Sequence, residues 1–339
     1  MLNIKKIIFT LITIIVAITI TLSGCQEQEK TENIKENNNL YKETKTLYVG
    51  YSNSSYYKTI QDALDNSIDG DTIIIENGSY NELLNINKSI KLIGTNKNST
   101  IIDYNFNKIN QIATVNINND CCIIKNLTVK TNINDNITKG IYVKGSNTLI
   151  ENNIISGIAE GIYLAKNSEN NTIKNNKVMN NNYGVYSHFS INNIISNNII
   201  LSNKLYGIYI CSNSDYNSIS NNIFSENNYA IRIKGSKYNK VFENCITNND
   251  KGAYCCCGAY YNMFYSNIFG NNFQYNAKEG ANLINFWYNY ETNVGNYWDE
   301  YDGIDENKDG FGDTPLIIPD TKDEDLYPLM EPPSNVSCD

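Results

Sequence analysis

Six residues recur two positions into one short phrase: Tyr142, Tyr163, Tyr186, Tyr209, Arg232 and Tyr254. The phrase runs Gly140-Ile-Tyr-Val, Gly161-Ile-Tyr-Leu, Gly184-Val-Tyr-Ser, Gly207-Ile-Tyr-Ile, Ala230-Ile-Arg-Ile and Gly252-Ala-Tyr-Cys. Their chemistry is that of contact, not bond cleavage. A phenol ring offers a large apolar face that stacks on a sugar ring or on another aromatic ring. The same file could also serve only to strengthen a sheet, ring against ring. A second set is acidic. Asp305, Asn307, Asp309 and Asp313, with Gly310 at the sharp turn, follow the first half of an EF-hand loop, to which the Phe311 carbonyl adds a ligand. That is calcium chemistry, although Leu316 stands where a bidentate Glu would close the shell, leaving a weaker site or one completed by Asp302. The alternative is an acidic surface turn. A third set, His188 and Cys211, lies two positions beyond the tyrosines; imidazole and thiol can ligate a metal, but two donors are also a coincidence of a surface column.

Catalysis asks for more than these residues supply. Glycoside hydrolysis needs two carboxylates flanking the bond, whereas Glu151, Glu160, Glu169, Asp215, Glu226 and Glu243 fall in scattered positions of the repeat. Arg232-Ile233-Lys234 matches one motif of galacturonan hydrolases, without the paired aspartates or the Gly-His-Gly that accompany it there. No catalytic residue is assigned; a polysaccharide lyase or glycoside hydrolase stays as the alternative to a binding role.

The phrase recurs at intervals of 21, 23, 23, 23 and 22 residues, the mark of stacked supersecondary units that cannot bury their apolar faces alone. Within each unit, short runs alternate apolar and polar residues, as strands do. Asn176, Asn198, Asn222 and Asn244 form one column and Ile173, Ile195, Ile219 and Val241 another. Asn and Gly supply the corners, since both tolerate left-handed backbone, and stacked Asn side chains can hydrogen-bond from coil to coil. All five prolines lie at or after Pro315, which suits a ladder in which backbone N–H groups must donate. The expected fold is all-β: a right-handed parallel β-helix of about 23 residues per coil and eight or nine coils. Apolar residues at 60, 63 and 64, before Gly70, predict a short amphipathic helix that covers its open N-terminal end. Tyr142 and its counterparts then point outward, about 4.8 Å apart.

The stretch Thr59 to Asp103, the Asn-rich coils after it, and Gly295-Asn-Tyr-Trp-Asp-Glu-Tyr-Asp-Gly with Asp309-Gly-Phe-Gly-Asp-Thr-Pro together resemble the NosD-like family. The resemblance, over roughly residues 47–329, implies a right-handed β-helix of the kind found in carbohydrate-binding proteins and sugar hydrolases. It also implies a copper-site maturation accessory as a further alternative, for which one His and four Met residues are a poor delivery set.

The N-terminus is an address. Lys5 and Lys6 precede an apolar run from Ile7 to Leu22, and Leu22-Ser23-Gly24-Cys25 reads as a lipobox with Cys25 the lipidated residue; a plain membrane-spanning anchor is the alternative. Either places the chain outside the cytoplasm, on the outer face of the membrane. The expected organisation is a signal over 1–25, a tether over 26–46, the β-helix over 47–285 and an acidic segment over 286–339. Residues 291–339 hold 14 acidic and 2 basic side chains, about −12, within a net charge of −9. Such a balance disfavours nucleic acid as a partner, and an extracellular polysaccharide is the expected one. Sequons such as Asn77-Gly-Ser permit glycosylation. No disulfide between coils is expected, because Cys211 and Cys256 would stand about 9.6 Å apart.

Overall fold

The computed structural model describes residues 43–52, 55–103, 113–131, 138–280 and 283–338. Its strands form three parallel sheets wound around one core. Sheet I has ten strands from Thr46–Val49 to Met263–Tyr265, sheet II nine from Leu84–Ile86 to Tyr275–Gly280, and sheet III ten from Gly78–Tyr80 to Tyr297–Trp298. The chain visits them in rotation: Thr172–Lys174 in sheet I, Lys177–Met179 in sheet III, Tyr183–His188 in sheet II, then Ile194–Ser196 in sheet I again. This is the three-sided β-helix that the repeat predicts, in about nine coils.

The register explains why the period is kept. Ile150, Ile173, Ile195, Ile219 and Val241 pair in succession across sheet I, and all are fully buried. Burying an Ile or Val side chain contributes roughly 1.5–3 kcal/mol, so a slip of one residue would expose a whole column. The corners are as regular as the strands. Asn175, Asn197 and Asn221 hold φ of 57°, 54° and 53°, and the residue after each is a buried ladder asparagine, Asn176, Asn198 and Asn222. The side-chain amide of Asn176 donates to Asn198 Oδ1 at 3.1 Å, that of Asn198 to Asn222 Oδ1 at 2.9 Å, and that of Asn222 to Asn244 Oδ1 at 3.0 Å. The column read from the sequence is thus a hydrogen-bonded ladder. Two further ladders occupy the other corners, through Asn203, Asn227 and Asn249, and through Asn193, Asn217 and Asn239. They satisfy backbone groups that turning the chain leaves unpaired inside.

Both ends of the stack are closed. The helix Ile60–Asp65, capped by Thr59, buries Ile60, Ala63 and Leu64 as its spacing predicts. At the other end Trp287 stacks on Phe264 at 4.3 Å and Trp298 on Phe269 at 4.4 Å. Sheet III therefore gains a rung at Tyr297–Trp298, beyond residue 285, from the acidic segment. A disulfide, Cys245–Cys338, ties the chain's last residues back to a coil 93 positions earlier. Among the described residues no disulfide joins one coil to another.

Candidate binding face on sheet II

The outer face of sheet II gathers the repeated tyrosines. Tyr142, Tyr163, Tyr186, Tyr209, Arg232 and Tyr254 pair one after another in register, and Lys278 continues the file. A second file, not anticipated from the sequence, runs beside it: Tyr183, Tyr206 and Tyr229, followed by Lys251 and Tyr275. Its origin is a local break in alternation. In Tyr183–His188 both Gly184 and Val185 face inward, so the outward positions are 183 and 186, three apart. Gly184 lacks a side chain for a physical reason, since a Cβ there would lie 2.5 Å from the Gly207 carbonyl oxygen of the next coil. The signal available in the sequence was the tyrosine standing directly before Gly184, Gly207 and Ala230.

The two files interlock. Tyr163 and Tyr186 have ring centroids 4.9 Å apart and Tyr186 and Tyr209 5.0 Å, inclined at 67° and 36°, so the file is corrugated. Tyr206 stacks on Tyr209 at 4.8 Å. The Arg232 guanidinium lies 5.4 Å from the centroids of both Tyr206 and Tyr254 and donates to the Tyr206 hydroxyl and to Cys256 Sγ. Burial raises the Tyr163, Tyr186 and Tyr209 hydroxyls above the ordinary phenol range, so the rings stay neutral donors. His188 lies across from Cys211 as expected, but its Nδ1 is 3.0 Å from the Tyr163 hydroxyl, and burial lowers its pKa. Cys211 is buried and in contact with the Tyr186 hydroxyl.

Beside the second file, Ser202, Lys204, Glu226, Asn228 and Asp250 line a shallow groove of about 360 Å³. A third aromatic row, also unanticipated, lies at another corner. Tyr216, Tyr238 and Tyr261 are exposed and stacked at 5.0 and 5.6 Å, each with φ between 54° and 59°. Asparagine fills the equivalent corner at Asn170 and Asn192, so three tyrosines accept a backbone strain that Asn carries more easily.

Asp305, Asn307, Asp309, Phe311 and Asp313 form an exposed turn. Asp305 carboxylate oxygens accept from the Asp309 and Gly310 N–H groups at 3.2 and 2.9 Å, Asn307 Oδ1 from Asp309 N–H, Asp309 Oδ1 from Phe311 N–H, and Asp313 Oδ2 from Glu306 N–H. Among the described residues no three His, Cys, Asp or Glu side chains converge to hold a metal ion. Cys25 and the apolar run before it lie outside the described residues.

Three parallel sheets, three Asn ladders and an aromatic outer face define a member of the parallel β-helix class. The chain belongs to the NosD family: the model of that family, described as periplasmic copper-binding protein (NosD), matches residues 64–229 and 167–303. No curated protein matches it. Among solved structures it is similar in fold to pectate lyase Pel9A, at 16% identity and a TM-score of 0.53 over 79% of this chain and 82% of that one. It also resembles an alginate lyase from Paenibacillus sp. str. FPU-7 (14%, TM-score 0.48, 75% and 97%) and the pectin methylesterase from carrot (13%, TM-score 0.40, 76% and 84%). The family's periplasmic description agrees with the extracytoplasmic location expected from the N-terminal sequence. On sheet II His188, Cys211 and Cys256 are each engaged by a tyrosine or by Arg232, which makes them a poor set of copper donors, and no step is derived through that metal.

Proposed function

We propose that this protein is an extracytoplasmic glycan-binding module, held to the membrane through Cys25, that takes a polysaccharide lengthwise along the outer face of sheet II. One observation carries the reading: two files of tyrosines stand in register on consecutive coils. They make a strip whose repeat, about 4.8 Å per coil, is close to the advance of one pyranose along an extended chain. Sugar rings offer apolar faces to such a strip while their hydroxyls meet the phenols and the polar groove beside it. The corrugation gives each ring a partly open face, though it also stabilises the sheet. A glycan array probed with the protein should give signal that falls at least about tenfold when Tyr163, Tyr186 and Tyr209 are changed together to Ala, each aromatic contact supplying about 1 kcal/mol. Array binding that survives the triple variant would end this reading. The Cys25→Ser variant should move from the membrane to the soluble fraction. The turn at Asp305 is proposed to take Ca²⁺ and stiffen the C-terminal segment; calcium should then raise the thermal midpoint relative to chelator, and Asp305→Asn with Asp309→Asn should remove the difference.

A further inference from the structure

The charge on sheet II runs against that of the molecule. Outward from its strands and their ends stand Lys139, Lys144, Arg232, Lys234, Lys251 and Lys278, against Glu160 and Asp250. Three of these cations are compensated: Lys139 by Glu160 at 2.8 Å, Lys251 by Asp250 at 2.7 Å and Lys278 by Asp320 at 2.7 Å. Among the described residues no carboxylate pairs with Lys144, Arg232 or Lys234. Lys144 and Lys234 are exposed, and Lys144 Nζ lies 5.2 Å from the Tyr142 ring centre, at the edge of the aromatic strip. Arg232 is set within the strip itself, among four tyrosine rings. A chain of net charge −9 has thus left positive charge unneutralised on the face where the two tyrosine files run in register.

We infer that the strip selects an acidic polysaccharide, one whose sugars carry carboxylates, over a neutral chain. The inference rests on the glycan reading and names its substrate class. The rings hold the sugar faces, and Lys144 at one end with Arg232 and Lys234 four coils further on meet carboxylates at intervals along the polymer. A single-stranded nucleic acid also combines rings with negative charge. It bears one phosphate on every nucleotide, however, and three free cations with an acidic segment elsewhere are a poor match to that density.

The test is affinity electrophoresis of the full chain, in mild detergent, through gels holding polygalacturonate or the same polymer fully methyl-esterified. These differ in charge and share a backbone. Retardation by polygalacturonate should be at least about tenfold stronger at low salt, and should weaken as added salt shortens the screening length from about 30 Å at 0.01 M to about 8 Å at 0.15 M. Lys144→Glu with Lys234→Glu, both exposed changes, should abolish the preference; the salt series on the unaltered protein decides the matter if that variant misfolds. Equal retardation by the two polymers would overturn the charge selectivity and leave glycan binding standing. No retardation by either, with no signal on a neutral glycan array, would overturn both. Equal or stronger retention by an oligothymidylate would overturn the assignment to polysaccharide.

Discussion

The side chain of Asn198 donates to the Ile173 carbonyl at 2.9 Å and to Asn222 Oδ1 at 2.9 Å, while its own oxygen accepts from the Asn176 backbone N–H and side-chain amide at 2.9 and 3.1 Å. All of this is buried. Asn198→Ala would leave several polar groups without partners, each costing about 1–3 kcal/mol, so a loss of about 3 kcal/mol in urea denaturation is expected. Asn198→Asp should cost at least as much, because a carboxylate keeps the acceptor and loses both donations. Equal stability of the Asp variant and the parent would show that the ladder contributes little. The sequence discloses this ladder, since a buried-strand period with Asn in one column has few other uses. It does not disclose the second tyrosine file. Strict alternation puts Tyr183 on the same, inward side as Val185, and only the doubled inward step at Gly184 and Val185 turns it outward.

At the scale of an element, the C-terminal cap depends on buried acids. Both Glu279 and Asp325 are fully buried, which pushes the Glu279 carboxyl up to about 8 and the Asp325 carboxyl up to about 6. Trp287 Nε1–H donates to the first at 3.2 Å and Trp298 Nε1–H to the second at 2.8 Å. Each folded pKa lies above its unfolded value, so between the two the folded chain keeps a proton that the unfolded chain has released. Stability from these groups is therefore full at low pH and is lost as pH rises through about 4–6 for Asp325 and about 4.5–8 for Glu279. The two tryptophans are the only ones in the chain, so their emission should titrate with midpoints near 6 and near 8, and Trp298→Phe should remove the lower one. A featureless emission profile would contradict this. Cys338→Ser, which frees the chain's end from Cys245, should speed hydrogen exchange over 286–338 and leave coils such as Thr172–His188 unchanged. None of this was legible beforehand. Residues 93 apart with no repeat relation carry no spacing signal, and an acidic segment reads as surface until tryptophans are seen to turn it into a lid.

For the whole molecule, each coil touches mainly its two neighbours, so the stack should tolerate a change in its number of coils if register is kept. Removing residues 184–206, one full period joining Tyr183 to Gly207, should yield a folded protein shorter by about 4.8 Å, with strand-rich circular dichroism and a somewhat lower thermal midpoint. Removing half as many residues should abolish cooperative unfolding, because every column beyond the cut would face the wrong way. The outline of this architecture was present in the period of the Gly-Ile-Tyr phrase. Its ends were only half visible, the helix by its apolar spacing and the aromatic lid not at all. Those ends have a bearing on how the protein survives at concentration. A stack of parallel strands is a template with two open rims, and each rim could accept the rim of another molecule and grow into a filament. The helix at Ile60–Asp65 seals one rim and the tryptophan pair the other, so a few residues at the extremities stand against end-to-end growth, and their loss should favour fibres.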